Sequence, residues 1–279
     1  MTRHANEIVS RLWLAMLWKG MAISMKTTIR SKFISNWLPP LVILVLLIGT
    51  LELFTTGLKM INEFVIPSPS SILWDTIAFF NLRVGDFSST MYNTLIGYVI
   101  SVPVGIVLAG VLAQSKTVVR AMSPIIIVFA ATPMLVLVPI LVMWTSFAPW
   151  TRTFAVAMQT VPIILLNTIT GFTNVPFEKE ELAMVYGASR VQRFLKIVLP
   201  QALPRIFTGL RMGVINATMG IVGTEFIVLG RGMGYRIIVA CNFLKFPLVF
   251  GCIIVIALAS YILMCIVTMI ERNVVVWKH

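Results

Sequence analysis

The sequence predicts an all-α membrane protein with six transmembrane helices. Hydrophobic residues make up 58% of the chain and charged residues only 11%, and the mean hydropathy is +0.96. A soluble domain does not need so apolar a composition to build its core. Long uncharged windows recur along the chain, and Lys and Arg outnumber Asp and Glu by 22 to 10, an excess typical of the cytoplasmic loops of membrane proteins.

Five of the six predicted spans are uncharged. A helix needs about 20 apolar residues to cross the hydrocarbon of a bilayer, and five windows come near or exceed that length: residues 33–51, 87–115, 121–151, 153–177 and 246–270. The remaining span, residues 204–230, is uncharged at its centre but carries Arg205, Arg211 and Glu225. Charges near helix ends reach the interface or an aqueous cavity at modest cost, so we count it as a span.

The distribution of basic residues predicts that both termini are cytoplasmic. With six spans and the N-terminus inside, cytoplasmic segments hold fifteen of the 22 Lys and Arg residues, and external segments hold six. This bias agrees with the positive-inside rule. The three basic residues between the last two spans, Arg231, Arg236 and Lys245, oppose it.

The chain divides into a basic N-terminal segment, residues 1–36, and a membrane domain, residues 37–279. Val9, Leu12, Trp13 and Met16 follow helical spacing, which favours an interfacial helix in the first segment. An unstructured basic tail or a targeting segment would also fit its composition. After the first span, "FVIPSPSSIL" predicts a separate short helix capped by Ser70 or Ser71, because its prolines interrupt the preceding helix.

Residues 176–200 look like a soluble helical hairpin placed between two spans. Pro176 and the acidic residues Glu178, Glu180 and Glu181 suit a helix N-terminus, and Gly187 suits a left-handed C-terminal cap. Ser189 and Gln192 have the spacing of a capping box for a second helix. Apolar residues from Val191 to Leu199 then follow helical spacing, and Pro200 is expected to close that helix. The pattern predicts a rigid helix–Gly–helix unit, which either docks another protein or is only a solvated loop with an interfacial helix.

At these residues the chain resembles the permease subunits of ATP-binding-cassette importers. Their cytoplasmic loop has the pattern E-A-A, three residues, G, nine residues, I-x-L-P, matched here by Glu181, Ala183, Gly187 and "IVLP" at 197–200, with Leu182 replacing an alanine. Segments such as "IPSPSSIL", "TPMLVLVPILVMW" and "GRGMGYRI" are similar, in order, to the nitrate, sulfonate and taurine type of permease. Residues 145–147 and Asn216 depart from that group.

The resemblance implies a type I importer permease fold and a set of partners. It implies a second permease copy, a cytoplasmic dimer of ATP-binding-cassette ATPases that holds ATP and Mg, and an external substrate-binding protein. The chain itself has no phosphate-binding G-x-x-x-x-G-K-[ST] loop, so no cofactor is expected on it. The residues expected to couple it to the ATPase are Glu180, Glu181, Ala183, Gly187, Ala188, Arg190 and Arg193.

The last-but-one span carries the candidate pathway residues. Glu225, near its outer end, is expected to face an aqueous path or to pair with Arg231 or Arg236, because an ionisable group at that depth points to function. Asn216, together with Gln159 of the span before, is expected to line the path. Small residues at near-helical spacing predict either packing within one subunit or a dimer interface: Gly209, Gly213, Ala217 and Gly220.

Other functions are less well supported by the residues. The three cysteines show no metal or disulfide spacing, no basic stripe with aromatics indicates nucleic acid binding, and no catalytic motif is present. An ion-coupled secondary transporter would usually show paired charges near the membrane centre and an internal repeat. A structural membrane scaffold is a further alternative. The resemblance indicates a small anionic solute such as a sulfonate, nitrate, taurine or an aromatic carboxylate, with a thiamine-precursor pyrimidine as the alternative.

Overall fold

The computed structural model describes residues 38–60, 66–228 and 230–275, leaving aside the side chains of residues 80–83, 177 and 180. These residues are helical, with short connections and no strand among them. The segment 1–36, for which an interfacial helix is predicted, lies outside the described residues. The helices are α1 (Leu38–Gly57), α2 (Pro69–Leu112), α3 (Lys116–Ala131), α4 (Met134–Thr145), α5 (Thr151–Thr173), α6 (Phe177–Val185), α7 (Arg190–Arg193), α8 (Leu199–Ile227), α9 (Met233–Asn242) and α10 (Phe246–Val274).

The chain forms two compact units, residues 1–70 and 71–279. In the first unit, α1 ends in a π-helical turn, Leu53–Gly57. The carboxylate of Glu52 accepts hydrogen bonds from the backbone N–H of Ser70 at 3.1 Å and from its hydroxyl at 2.7 Å. Glu52 therefore places a negative charge at the N-terminus of α2, where the helix dipole favours it.

α2 corrects the prediction of a separate short helix after Ser70. It runs without interruption through 44 residues from Pro69 to Leu112. Pro69 is tolerated because the first helical position needs no hydrogen-bonded N–H. Between Ser70 and Pro103 the sequence has no further proline, and the isolated Gly85 does not break the helix. The short helix and the second span are therefore one element.

The predicted span at residues 121–151 is broken into two helices. α3 ends at Ala131, α4 begins at Met134, and their axes differ by 93°. Thr132 is extended, with φ −75° and ψ 119°, the conformation that a following proline imposes. Pro133 thus breaks the helix, whereas Pro124 and Pro139 lie within α3 and α4.

α8 begins earlier in the chain than predicted because Pro200 does not end the preceding helix. A π-helical turn, Phe194–Val198, joins α7 to α8, and one helical run extends from Arg190 to Ile227. A proline ring normally clashes with the carbonyl four residues earlier. The wider π turn directly before Pro200 changes the spacing of those carbonyls and lets the helix continue.

The core of the second unit is the contact between α5 and α8. A Cβ at Gly209 would lie 2.8 Å from Asn167, one at Gly213 3.1 Å from Ile164, and one at Gly220 3.2 Å from Gln159. The small residues of α8 therefore face α5 of the same chain. This agrees with the prediction of packing within one subunit.

The described residues contain five helices that are long and apolar enough to cross a membrane, and the bent pair α3–α4 would make a sixth. Their outward surfaces are apolar, and the buried face of α2 is polar. Its buried residues include Asp86, Thr90, Asn93, Thr94 and Ser101. This inverted distribution is what a lipid environment favours, since polar groups must be satisfied inside the protein.

Candidate functional site: a projecting hairpin, a polar pair and a buried carboxylate

The hairpin between α5 and α8 has the geometry that its sequence predicts. Gly187 has φ +73°, in the left-handed region. Its N–H donates to the carbonyl of Met184, and the N–H of Ala188 donates to the carbonyl of Ala183, both at 2.9 Å. These two bonds form a Schellman motif, which ends α6 and turns the chain sharply.

The capping box that starts α7 is also confirmed. The N–H of Gln192 donates to the Ser189 hydroxyl at 3.3 Å, and the N–H of Ser189 donates to the Gln192 side chain at 2.9 Å. The cap and the preceding Schellman motif fix both ends of the two-residue joint at Gly187 and Ala188. The orientation of α6 relative to α7 is therefore set by local hydrogen bonds.

The tip of α6 exposes apolar side chains although α6 is too short to span a membrane. Val185 is 80% exposed, Tyr186 82% and Leu182 59%. Glu181 is exposed beside them, whereas the side chain of Glu180 lies outside the described residues. An exposed apolar surface on a projecting helix is typical of a protein interaction site.

Arg190 and Arg193, which are expected to help couple the chain to the ATPase, lie at the two ends of α7, and Arg190 is exposed. Both line a recess formed with Gly110 and Gln114 near the end of α2 and with Phe172 near the end of α5. Arg193 buries its Nε atom there, and Nε has no hydrogen-bond partner among the described residues. The two arginines thus face the membrane domain.

Two predicted pathway residues, Gln159 of α5 and Asn216 of α8, are brought together. The Gln159 amide donates to the Asn216 Oδ1 at 3.4 Å, and the Asn216 Nδ2 donates to the carbonyl of Met212 at 3.0 Å. The pair is half-buried beside an exposed face of α8 that includes Met212, Ile215 and Met219. The structure therefore places an uncharged polar pair at an otherwise apolar surface.

Glu225, the third predicted pathway residue, is completely buried at the other end of α8. The Thr90 hydroxyl of α2 lies 2.8 Å from its Oε1 and 3.0 Å from its Oε2, and the N–H of Gly234 donates to Oε2 at 2.9 Å. Thr90 in turn accepts a hydrogen bond from the N–H of Met233 at 2.8 Å. Glu225 therefore joins α8 to α2 and to the start of α9.

The predicted pairing of Glu225 with Arg231 or Arg236 is not what the structure shows. Arg236 pairs with Asp86 of α2, with Nε 2.5 Å from Oδ2, and Arg231 is exposed. Asp86 also accepts a hydrogen bond from the N–H of Gly232 at 3.4 Å. Two acidic side chains from different helices thus hold the segment "GRGMG", residues 230–234, which we call the glycine loop.

The glycine loop leaves no space for a side chain at Gly232. Its φ is +124°, and a Cβ there would overlap the Glu225 carboxylate. Gly230 also has a positive φ, +131°, but a Cβ there would lie 3.6 Å from the Arg152 guanidinium, its nearest neighbour. Arg152 donates to the carbonyl of Val228 at 3.3 Å and so ties the chain just before the glycine loop to the start of α5.

Sequence reasoning missed Asp86 and Thr90, although a signal for Asp86 was available. Asp86 immediately precedes an uncharged window, and a lone acidic residue at a span boundary is expected to have a partner. Thr90 gave no such signal, because hydroxyl residues commonly bond to their own helix. Arg211, inside α8, pairs with Glu271 of α10, another ion pair that spacing alone does not reveal. Within the described part of the chain, no cluster of His, Cys, Asp or Glu could hold a metal ion.

Curated relatives resemble the chain over most of their length. It is 27% identical over 222 residues to the formylaminopyrimidine transport permease protein ThiX of Halalkalibacterium halodurans, covering 79% of this chain and 89% of the relative. It is 26% identical over 248 residues to the taurine transport system permease protein TauC of Escherichia coli, covering 82% and 88%.

A similar solved structure supports the fold, and a family model identifies the family. The inward-facing MetNI methionine ABC transporter includes a chain that matches with a TM-score of 0.52 at 19% identity, covering 77% of this chain and 99% of that one. The model of binding-protein-dependent transport system inner membrane components matches residues 101–276. Such proteins are transport subunits, and a separate chain hydrolyses ATP. The chain therefore belongs to the family of binding-protein-dependent transport system inner membrane components and is a permease subunit of an ATP-binding-cassette importer, not an enzyme.

Proposed function

We propose that two copies of this permease move a small solute into the cytoplasm, driven by an ATPase dimer that docks on the hairpin at residues 176–200. The observation that carries this proposal is the exposed apolar tip of α6, formed by Leu182, Val185 and Tyr186. This apolar tip lies on α6, which is outside the candidate spans, and the joint at Gly187 fixes the angle between α6 and α7. A rigid projecting helix with an apolar tip is suited to transmit the movement of a partner to the helices behind it.

The hairpin continues directly into α8, which supports its role in coupling. One helical run links Arg190 to Ile227, so a displacement of the hairpin reaches Asn216 without crossing a loop. We assign docking to Glu181, Ala183, Gly187 and Ala188, with Glu180 included from the sequence pattern alone. Arg190 and Arg193 are left out of the docking surface because they line the recess against α2 and α5.

The Gln159–Asn216 pair supports a solute path beside α8. Amide side chains facing lipid would be costly, so a second permease copy or an aqueous cavity is expected to cover this face. The pair carries no net charge. It therefore offers hydrogen bonds both to an oxyanion and to a neutral heterocycle.

A small anion such as a sulfonate or nitrate is the solute class we propose, following the taurine permease among the relatives. A pyrimidine is the second candidate, because the formylaminopyrimidine permease matches over 79% of this chain. Glu225 and Asp86, which hold the glycine loop, are proposed to shape the external end, where the substrate-binding protein delivers the solute.

Reconstitution into proteoliposomes tests the proposal. The permease is inserted with its ATPase, ATP is enclosed with that ATPase, and the binding protein is added on the other side with labelled taurine, nitrate or formylaminopyrimidine. We expect uptake that requires ATP and all three components and that persists when a protonophore dissipates the gradient. Uptake by the permease alone, driven by an ion gradient, would instead identify a secondary transporter.

A pair of variants tests the path. Asn216→Leu should reduce uptake severalfold while the ATPase still copurifies, because it removes one partner of a polar pair and leaves the hairpin intact. Thr170→Val on α5 is the control, since its hydroxyl bonds to the Leu166 carbonyl of its own helix. Equal uptake by both variants would remove Asn216 from the path.

A further inference from the structure

A groove runs along one end of the helix bundle, between the hairpin and the membrane helices. It encloses about 940 Å³ and lies between the last turns of α2, Phe172 of α5, and the π turn that precedes α8. This volume falls within the range of about 300–1,000 Å³ that is typical of ligand pockets. Its apolar part is lined by residues that include Val107, Val111 and Leu195.

One side of the groove is basic. Arg190 lines it and also lines an adjoining recess of about 210 Å³, where Arg193 joins it. No acidic residue occurs among the described residues that line either space. The buried Nε of Arg193 has no hydrogen-bond partner in the described part of the chain. A buried guanidinium N–H without an acceptor is costly, so an anion in this recess would satisfy it.

The groove lies beside the ends of two candidate spans, where lipid head groups are expected to meet hydrocarbon. The spans of α2 and α5 end at Leu112 and Thr173, close to the residues that line it. Val191 is 67% exposed and Leu195 54% exposed on the same side of the hairpin. The groove combines apolar walls with a basic rim at the end of a span. These two environments suit a phospholipid, because its acyl chain requires an apolar surface and its phosphate a basic one.

We propose that this groove binds one anionic glycerophospholipid, with an acyl chain against Val107, Val111 and Leu195 and the phosphate held by Arg190 and Arg193. Basic pockets between membrane helices are known to recognise acidic head groups. Bound there, the lipid bridges the hairpin to the ends of α2 and α5. The proposal requires only that this end of the bundle lies at a membrane surface and does not depend on which solute is moved.

A simpler account of the two arginines makes a different prediction. α2 and α5 both end near them, and basic side chains stabilise helix C-termini through the helix dipole. In that case the arginines would need no ligand, and phosphatidylglycerol would bind no better than phosphatidylcholine. The comparison of these two lipids therefore separates the accounts.

The test uses the permease purified with its ATPase in nanodiscs that contain phosphatidylcholine with or without phosphatidylglycerol. Spin-labelled lipids and native mass spectrometry measure how strongly each lipid is retained. We expect preferential retention of phosphatidylglycerol, weakened about fivefold by each of Arg190→Gln and Arg193→Gln, since a basic residue contributes about 1 kcal/mol near an anionic surface. Arg193→Lys should keep most of the preference.

Matched variants distinguish a built site from general surface attraction. Lys196→Gln removes one positive charge from the same segment, but Lys196 lines a different cavity beside Lys179 and Leu182, so it should leave retention unchanged. Val107→Trp fills the apolar part without altering charge and should displace the lipid even if the arginine variants fold poorly.

Three results would overturn the proposal. They are equal retention of the two lipids, a loss in Lys196→Gln as large as in Arg193→Gln, or binding of soluble glycerol phosphate as strong as that of the lipid. The last result would mean that the recess is a site for a free anion and that the apolar groove contributes nothing.

Discussion

At the scale of single residues, Glu225 is the side chain whose environment says most about function. It is fully buried, yet both of its oxygens accept hydrogen bonds, from Thr90 and from the N–H of Gly234. A buried carboxylate is stable only when its oxygens are satisfied in this way. Its position joins three elements at one end of the bundle, so we propose that it maintains the external end of the path.

We expect Glu225→Gln to impair uptake while leaving the ATPase bound. Glutamine replaces one of the two carboxylate oxygens, both of which lie within 3.0 Å of the Thr90 hydroxyl, with an NH2 group that brings two new N–H donors into the buried site, so a buried donor is left without an acceptor. This loss costs about 1–3 kcal/mol. Uptake and copurification of the ATPase are measured in parallel.

Thr224→Val is the control for Glu225→Gln. Thr224 is equally buried, but its hydroxyl bonds to the Gly220 carbonyl of its own helix. Wild-type uptake kinetics in Glu225→Gln would show that the Glu225 network is only a packing feature.

A second residue-scale prediction compares the two glycines of the loop. Gly232→Ala should destabilise the protein more than Gly230→Ala. Both positions have positive φ and therefore share the backbone strain, but only a Cβ at Gly232 overlaps the Glu225 carboxylate. Thermal unfolding of the purified transporter measures the difference. Equal melting temperatures would mean that the loop relaxes away from Glu225 without cost.

At the scale of elements, the hairpin shows how a local conformation sets the direction of a helix. Gly187 lies in the left-handed region, and no atom lies within 4 Å of a Cβ placed on it. The requirement for glycine there is therefore conformational and not steric. Since the joint is exposed and unpacked, its geometry depends on the backbone alone.

Substitutions at Gly187 should follow backbone preference and not side-chain size. Gly187→Val should lower ATPase binding, substrate-stimulated ATP hydrolysis and uptake together, because a β-branched residue disfavours the left-handed region. Gly187→Asn, although polar and larger than alanine, should retain most activity because asparagine tolerates that region. The spans are unchanged in both variants, so insertion into the membrane should remain normal.

Two outcomes would count against the hairpin as the coupling element. One is wild-type activity in both Gly187→Val and Glu181→Lys. The other is equal loss in the valine and asparagine variants, which would show that the position tolerates no side chain and not that its backbone conformation matters.

At the scale of the whole molecule, the broken pair α3–α4 decides the topology. If the pair crosses the membrane, the C-terminal ends of α2 and α5 both lie on the cytoplasmic side, in agreement with the count of basic residues. If the pair re-enters on one side, every later segment changes side. The structure favours the crossing, because a Cβ on Gly97, Gly105 or Gly110 of α2 would meet Val156, Ile164 or Phe172 of α5, in the same order along both helices. The two helices therefore run parallel and end on the same side of the bundle, in agreement with the basic residues at 116–120 and 179–205.

Single cysteines test this topology in a variant that lacks Cys241, Cys252 and Cys265. We place them at Lys116, Phe147 and Ser189, all exposed, and label intact cells with a membrane-impermeant maleimide. Phe147→Cys should be labelled from outside, and the other two only after the membrane is opened. Labelling of Ser189→Cys from outside, with Phe147→Cys protected, would show a re-entrant pair.

The sequence by itself determined the membrane class, the positions of most spans and the hairpin. These features depend on local composition, on proline and glycine, and on caps that act within a few residues, as at Gly187 and Ser189. Local patterns also misled at two places. Pro200 was expected to end a helix, but a π turn before it lets the helix continue into α8. A separate short helix was expected after Ser70, but that segment is part of the continuous helix α2. In the first case the wider spacing of the π turn offsets the effect of Pro200, and in the second Pro69 occupies the first helical position, where it does not interrupt α2.

The tertiary structure alone decided which polar groups meet. Glu225 and Thr90 are separated by 135 positions in the chain, and Asp86 and Arg236 by 150. No local pattern encodes such pairs, because any buried polar group takes whichever partner the packing of helices brings within reach. The sequence left open whether Glu225 faces an aqueous path or pairs with an arginine, and the packing of α8 against α2 and α9 supplied Thr90 and the N–H of Gly234 as its partners.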